Sequence, residues 1–243
     1  ISLAILLLSL YNFKKLIFLA VNMSIEQNVA KILRFILPDN ILKFIPSIYY
    51  NLNKIRYKCF SRSLLQKETF KAKKRRDSEN FFGLYCKGQG VDIGYGGDLL
   101  VPNCLGWDIE DGDAQYINKL ANEEFDFLYS SHVLEHLDDP DIAIKNWWRV
   151  LKKNGYMILY LPERDLYEKK KTLPSRFSLD HKHYFKLEND EKPNTIGITQ
   201  LLKRNIENYK VVYSKICKEG FTITDPYKHS NGEYSIEIIV KKI

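Results

Sequence analysis

An α/β fold built on a largely parallel sheet is predicted by three observations. A glycine-rich turn directly follows a short apolar run, strand-like and helix-like segments alternate from residue 90 to residue 162, and strand patterns return near residue 240. The first element is Gly90-Val-Asp-Ile93, followed by Gly94-Tyr-Gly-Gly-Asp98, where glycines let the backbone turn tightly and approach a ligand closely. A second apolar run, Leu105-Gly-Trp-Asp-Ile109, also carries an acid near its end. Glu124-Phe-Asp-Phe-Leu-Tyr-Ser-Ser131 reads as a strand leading into His132-Val-Leu-Glu-His-Leu137 and Asp138-Asp-Pro140. Ile142, Ile144, Trp147, Trp148, Val150 and Leu151 then recur at helical spacing, and Lys152-Lys-Asn-Gly155 supplies the cations and glycine of a helix C-terminus. Tyr156-Met-Ile-Leu-Tyr-Leu161 is a continuous apolar strand stopped by Pro162. In the tail a helix is expected over Thr199–Ile206, with strands over Tyr209–Tyr213 and Glu233–Val240.

The 243 residues suit one sizeable domain with an appendage, divided here into an N-terminal apolar and basic helical extension (1–80) and a catalytic domain (81–243). The charge divides the same way. Residues 1–80 hold 15 Lys+Arg against 5 Asp+Glu, leaving 22 against 25 for residues 81–243. A slightly acidic catalytic region argues against a nucleic-acid groove, so no nucleic-acid partner is expected. The run Lys71-Ala-Lys-Lys-Arg-Arg76 reads as a solvated linker in preference to a contact for an anionic partner. Cys59, Cys86, Cys104 and Cys217 are widely spaced, without a CxxC pair, which fits reduced thiols in the cytoplasm.

Residues 1–22 are apolar but interrupted by Asn12, Lys14 and Lys15, so they match neither a membrane span nor a secretory signal well. Two readings stay open: an anchor, or an extension upstream of a start at Met23. Over Ile25–Leu42 a helix is expected up to an interruption at Pro38. It either packs on the catalytic domain or makes a peripheral contact with an anionic membrane, assisted by Lys43, Lys54, Arg56 and Lys58.

The strings Val91-Asp-Ile-Gly-Tyr-Gly-Gly97, Gly112-Asp-Ala114, Phe125-Asp-Phe127, Ser131-His-Val-Leu-Glu-His-Leu137 and Arg149-Val-Leu-Lys-Lys-Asn-Gly155 resemble, in order and spacing, the class I S-adenosyl-L-methionine (SAM)-dependent methyltransferases, particularly the type 11 group. The resemblance runs from about residue 88 to about residue 188. It implies a Rossmann-like, doubly wound sheet, mostly parallel, whose last strand is antiparallel, with SAM as cofactor. It also implies that Asp92, Gly94, Gly96 and Gly97 form the loop around the amino-acid end of SAM, although GxGG followed by Asp98 departs from the fuller family pattern. Asp108 would accept the ribose hydroxyls, Asp113 with Ala114 would meet the adenine amino group, and Ser131 would face the cofactor crevice. The spacing of Asp108 and Asp113 is short for the family. Either the second crossover is lost, or Asp108 does not hold the ribose.

His132 closes the third strand-like run and is a candidate to contact substrate or SAM; its alternative is a helix-entry residue bonded to backbone. Glu135 and His136 read as helix-face residues. The string His132-x-x-Glu135-His136 also matches an inverted zinc-protease motif, but that motif requires both histidines well inside a helix, and no metal is expected. After the last parallel strand the family shapes its acceptor pocket, and here that stretch offers Arg164, Tyr167, Arg176, His181 and His183. His132, His181 and His183 are therefore the candidate bases, with structural histidines as the alternative. A small-molecule or glycan acceptor is expected, with a sugar hydroxyl of a surface-polysaccharide precursor ahead of a lipid or quinone. A non-catalytic SAM-binding subunit is the reading from another class.

Overall fold

Gly90–Ile93 forms β1, all four residues buried, and it sits between two parallel neighbours, β2 (Cys104–Trp107) and β3 (Phe125–Ser131). The computed structural model describes residues 68–243. The expectations placed on segment 1–22, on Ile25–Leu42, on the basic residues near 43–58 and on Cys59 lie outside the described residues. Among the described residues no helix is long and apolar enough to cross a membrane.

The sheet has six strands in the order β2-β1-β3-β4-β8-β7, with β4 at Leu151–Pro162, β7 at Tyr209–Cys217 and β8 at Ser235–Lys242. β1 to β4 run parallel, whereas β8 is antiparallel to both β4 and β7. The architecture is thus the Rossmann-like, mostly parallel sheet with an antiparallel last strand that the sequence predicts.

The expected alternation of strand and helix is corrected in two places. Residues 94–103, between β1 and β2, contain no helix, because Gly94, Gly96 and Gly97 all take positive φ and Pro102 closes the segment. Residues 108–124, between β2 and β3, are likewise turns, so the second crossover is lost. The crossover from β3 to β4 is helical: α4 (Pro140–Arg149) starts with proline in its first turn and with the Asp139 carboxylate accepting the Ile142 N–H at 3.0 Å. Lys152-Lys-Asn-Gly155 is not its C-terminus. The helix ends at Arg149, β4 begins at Leu151, and these residues form an irregularity beside Phe125–Phe127, where the Asp126 carbonyl stands 2.9 Å from the place a Gly155 Cβ would occupy.

One face of the sheet is covered by α4 and by α6 (Ile198–Asn205), whose Ala143, Ile144, Trp147, Leu201 and Leu202 pack on Val91, Ile93 and Leu159. Each such fully buried large side chain contributes about 1.5–3 kcal/mol. The other face is covered by three short helices, α1 (Glu68–Lys71), α2 (Lys73–Ser78) and α3 (Phe81–Tyr85), through Ala72, Phe81 and Cys86 against Phe127, Tyr129 and Ile158. Residues 68–80 thus pack directly on the sheet.

This packing overturns the solvated-linker reading of the basic run. Arg75 and Arg76 are buried: Arg76 pairs with Glu237 of β8 at 2.5 Å, and Arg75 reaches Glu237 at 2.6 Å and Glu233 at 2.8 Å. The Arg76 guanidinium also lies 4.8–5.1 Å from the ring centres of Phe81, Tyr129 and Tyr160. Burial opposes charge on both arginines, but the carboxylates of Glu233 and Glu237 hold them firmly protonated. The remaining elements are α5 (Arg164–Tyr167) after β4, and a two-stranded pair, β5 (Tyr184–Lys186) with β6 (Thr195–Gly197).

Candidate functional site

The glycine loop leaves β1 at the carboxyl edge of the sheet. Gly94 has φ +73°, and a Cβ there would stand 2.2 Å from Val133 Cγ2, so the turn after β1 and the turn after β3 touch at a point that tolerates only glycine. Asp92 is buried and accepts the Leu100 N–H at 2.7 Å. Burial pushes its carboxyl up to about 8; the Leu100 bond opposes this and nearby Asp98 adds to it. Asp92 is therefore the strut that folds the loop back. Asp108, at the end of β2, accepts the Gly96 N–H at 2.9 Å through Oδ2 and the Ile109 N–H through Oδ1. Its carboxylate joins the second strand to the glycine loop.

Asp113 is exposed and accepts the Gln115 N–H at 2.7 Å, while the Ala114 carbonyl accepts the Trp147 indole N–H at 2.8 Å, which fixes this turn against α4. Ser131 ends β3 opposite Tyr160. Asp92, Gly94, Gly96, Gly97, Asp108 and Ser131 thus meet at the strand ends, where open α/β sheets bind ligands, with Asp113 and Ala114 on the following turn.

The family model for a methyltransferase domain matches residues 92–159, from the strut carboxylate in β1 to the middle of β4. That stretch is similar to a methyltransferase domain. No curated protein matches the chain. Among solved structures it is similar to a SAM-dependent methyltransferase from Archaeoglobus fulgidus (16% identity, 75% of this chain and 100% of that chain, TM-score 0.46). It is also similar to one from Thermotoga maritima (18%, 72% and 99%, TM-score 0.41) and to one from Aquifex aeolicus (12%, 69% and 88%, TM-score 0.38). SAM is the methyl donor.

Beside the methyltransferase glycine loop stands a cluster of histidines. His132 holds φ +53°, a left-handed conformation uncommon outside glycine, and its Nε2 lies 2.9 Å from the Ser235 hydroxyl. The rings of Tyr160, Tyr167 and Tyr234 surround it, and burial, aided by the charge of His181, holds its imidazole well below its ordinary range. His181 is buried with Nδ1 2.6 Å from the Glu168 carboxylate; burial opposes its charge, but the bond to Glu168 and the field of Glu135 raise its pKa overall. His183 does not join them. It is half-buried, its Nε2 3.4 Å from the Asp138 carbonyl.

The sequence reading put Glu135 and His136 on a helix face and passed over Glu168. Leu134–His136 is a single 3-10 turn, not the start of α4, so Glu135 points inward instead of lying on a helix face. Its side chain is 0% exposed and neither carboxylate oxygen has a hydrogen-bond partner. Burial pushes it up to about 8, against the opposing charge of His181. Its Oε1 lies 3.6 Å from His132 Nδ1, 3.9 Å from His136 Nε2 and 4.0 Å from His181 Nε2. The Glu135 carbonyl accepts the Lys182 and His183 N–H groups, which brings the segment holding His181 onto this turn.

Proposed function

We propose that this domain transfers the methyl group of SAM to a hydroxyl of a small polar acceptor, of the sugar or glycan class. The observation that carries the reading is the position of His132. It sits next to Val133, which touches the glycine loop, and its Nε2 is engaged by Ser235 while its Nδ1 faces the buried cluster. SAM supplies a methyl carbon already activated by its sulfonium, so the chain's work is to bind, align and manage one proton. Asp92 and Asp108 hold the loop, and neutral His132 takes the hydroxyl proton as the oxygen attacks. Polar side chains on the acceptor segment, among them Arg176 and Asp180, favour a hydroxylated ligand over a quinone or lipid tail. The buried free thiols of Cys86, Cys104 and Cys217 support a cytoplasmic setting.

The test is turnover of purified protein with methyl-labelled SAM against panels of sugar, nucleotide-sugar, lipid and quinone acceptors. Label transfer to the sugars, lowered about 10²–10⁴-fold by His132→Ala with SAM binding kept, is expected. Transfer to the quinone or lipid panel alone would replace this reading.

A further inference from the structure

We propose that Glu135, His136 and His181 bind a divalent transition-metal ion, zinc in the first instance, on the acceptor side of the cofactor site. The proposal deepens the hydroxyl-methylation reading and rests on it for its role, though not for its existence.

Three observations carry it. A fully buried carboxylate with both oxygens unpartnered is costly, and it persists where something else satisfies it. The His181 imidazole is oriented by an outer carboxylate, Glu168, 2.6 Å from its Nδ1, whereas Asp180 stands 2.8 Å from Nδ1 of His136 without the geometry of a hydrogen bond. A proton held on Nδ1 leaves the Nε2 lone pair free, and both Nε2 atoms face the same Glu135 oxygen. Thirdly, the donor atoms converge. One from each residue lies within 4.8 Å of the others, with separations of 3.9 and 4.0 Å from Glu135 Oε1. Ligands about 2.0–2.1 Å from a tetrahedral zinc are roughly 3.3 Å apart, so closure asks the two Glu135–histidine separations to shorten by about 0.6–0.7 Å and the histidine–histidine separation by up to about 1.5 Å.

The donor set selects the ion. Two imidazoles and one carboxylate suit zinc and its transition-metal neighbours better than magnesium or calcium, which prefer oxygen. Three protein ligands leave a coordination position open, and the partly exposed His136 and exposed Asp180 mark the side from which an ion enters. The inverted zinc-protease string thus acquires a different meaning. In that motif the glutamate is a base between two ligand histidines, whereas the 3-10 turn here makes Glu135 a ligand and leaves His132 beside the site.

An ion in this position would take the acceptor hydroxyl oxygen as a further ligand and lower its pKa, with His132 Nδ1, 3.6 Å from Glu135 Oε1, beside it to receive the proton. The O–H proton passes to His132 Nδ1, the oxygen forms its bond to the methyl carbon, and the carbon–sulfur bond breaks with its electron pair left on sulfur. S-adenosylhomocysteine leaves, and His132 returns its proton to solvent.

The experiment uses the whole chain, stripped with chelator and titrated with zinc chloride by calorimetry, with metal content read by mass spectrometry. One zinc per chain is expected. Glu135→Gln and His181→Ala should each weaken zinc at least tenfold, and Glu168→Gln about 10–100-fold through its hold on His181. No uptake by the parent chain, uptake unchanged in Glu135→Gln, or uptake of magnesium with zinc ignored would each overturn the proposal. SAM binding measured on the same samples separates the two readings. SAM bound without zinc removes the metal and keeps methyl transfer; zinc bound without SAM keeps the metal site and removes the reading on which its role rests.

Discussion

The Asp108 carboxylate, at the end of β2, accepts the Gly96 N–H at 2.9 Å. One side chain thereby fixes the path of the glycine loop. Asp108→Ala should weaken SAM by roughly tenfold, about the 1.4 kcal/mol of one lost charge-assisted hydrogen bond. Asp108→Asn, which keeps an acceptor oxygen, should recover most of that. Calorimetry with SAM and S-adenosylhomocysteine measures both, and equal losses in the two variants would mean that the charge itself meets the ligand.

Gly94→Ala should abolish SAM binding while leaving the sheet folded. The added methyl meets Val133 at 2.2 Å, and φ +73° strains any side chain. In the double variant Gly94→Ala with Val133→Ala the steric part is relieved and the strain remains, so binding should return only in part. A thermal melt beside the binding curve separates a damaged loop from a damaged fold.

Asp92 makes stability depend on pH in a defined direction. Burial pushes its carboxyl up to about 8 in the folded chain, against an ordinary aspartate value of about 3.9, so the folded state holds a proton that the unfolded state has lost. Stability contributed by this group therefore falls as pH rises from about 4 to about 8, by an amount on the order of a few kcal/mol. Urea unfolding at pH 5 and pH 8 should show the decline, and Asp92→Asn should flatten it. A slope unchanged in Asp92→Asn would assign the decline to other groups.

Arg76→Met should cost about 3–5 kcal/mol, because it removes the cation that Glu237 meets at 2.5 Å in a site without water access. Adding Glu237→Leu should return much of the loss, since two apolar side chains replace a buried ion pair at little net cost. Denaturant midpoints of the two single variants and the double variant give the coupling.

The strands and α4 were readable because their signals are local: apolar runs, a proline in the first turn, and an aspartate before it that caps the helix. The missing helices were harder to foresee. Gly94–Pro102 shows the right glycines for a cofactor loop, and the expected alternation of strand and helix did not reveal that no helix lies between β1 and β2. Arg75 and Arg76 looked solvated because their partners lie about 160 residues away, beyond the reach of any periodicity. At the candidate site, His132 was named from the end of a strand and His181 from the stretch that the resemblance gives to the acceptor pocket, whereas Glu135 was expected on a helix face. Whether Leu134–His136 winds as an α-turn or a 3-10 turn decides where that carboxylate points, and the choice is made by the chain at His181–His183 folding back onto the Glu135 carbonyl.

The place of β8 in the sheet has a consequence for how the chain is born. Ser235–Lys242 is made after every other strand described, yet it lies inside the sheet, between β4 and β7, and carries Glu237. A ribosome that has already released α1 and α2 holds back the anion that their arginines require. Until β8 emerges, Arg75 and Arg76 lack the Glu237 carboxylate that they meet in the folded chain. Among the described residues, α1 and α2 are therefore expected to dock only once β8 has been made.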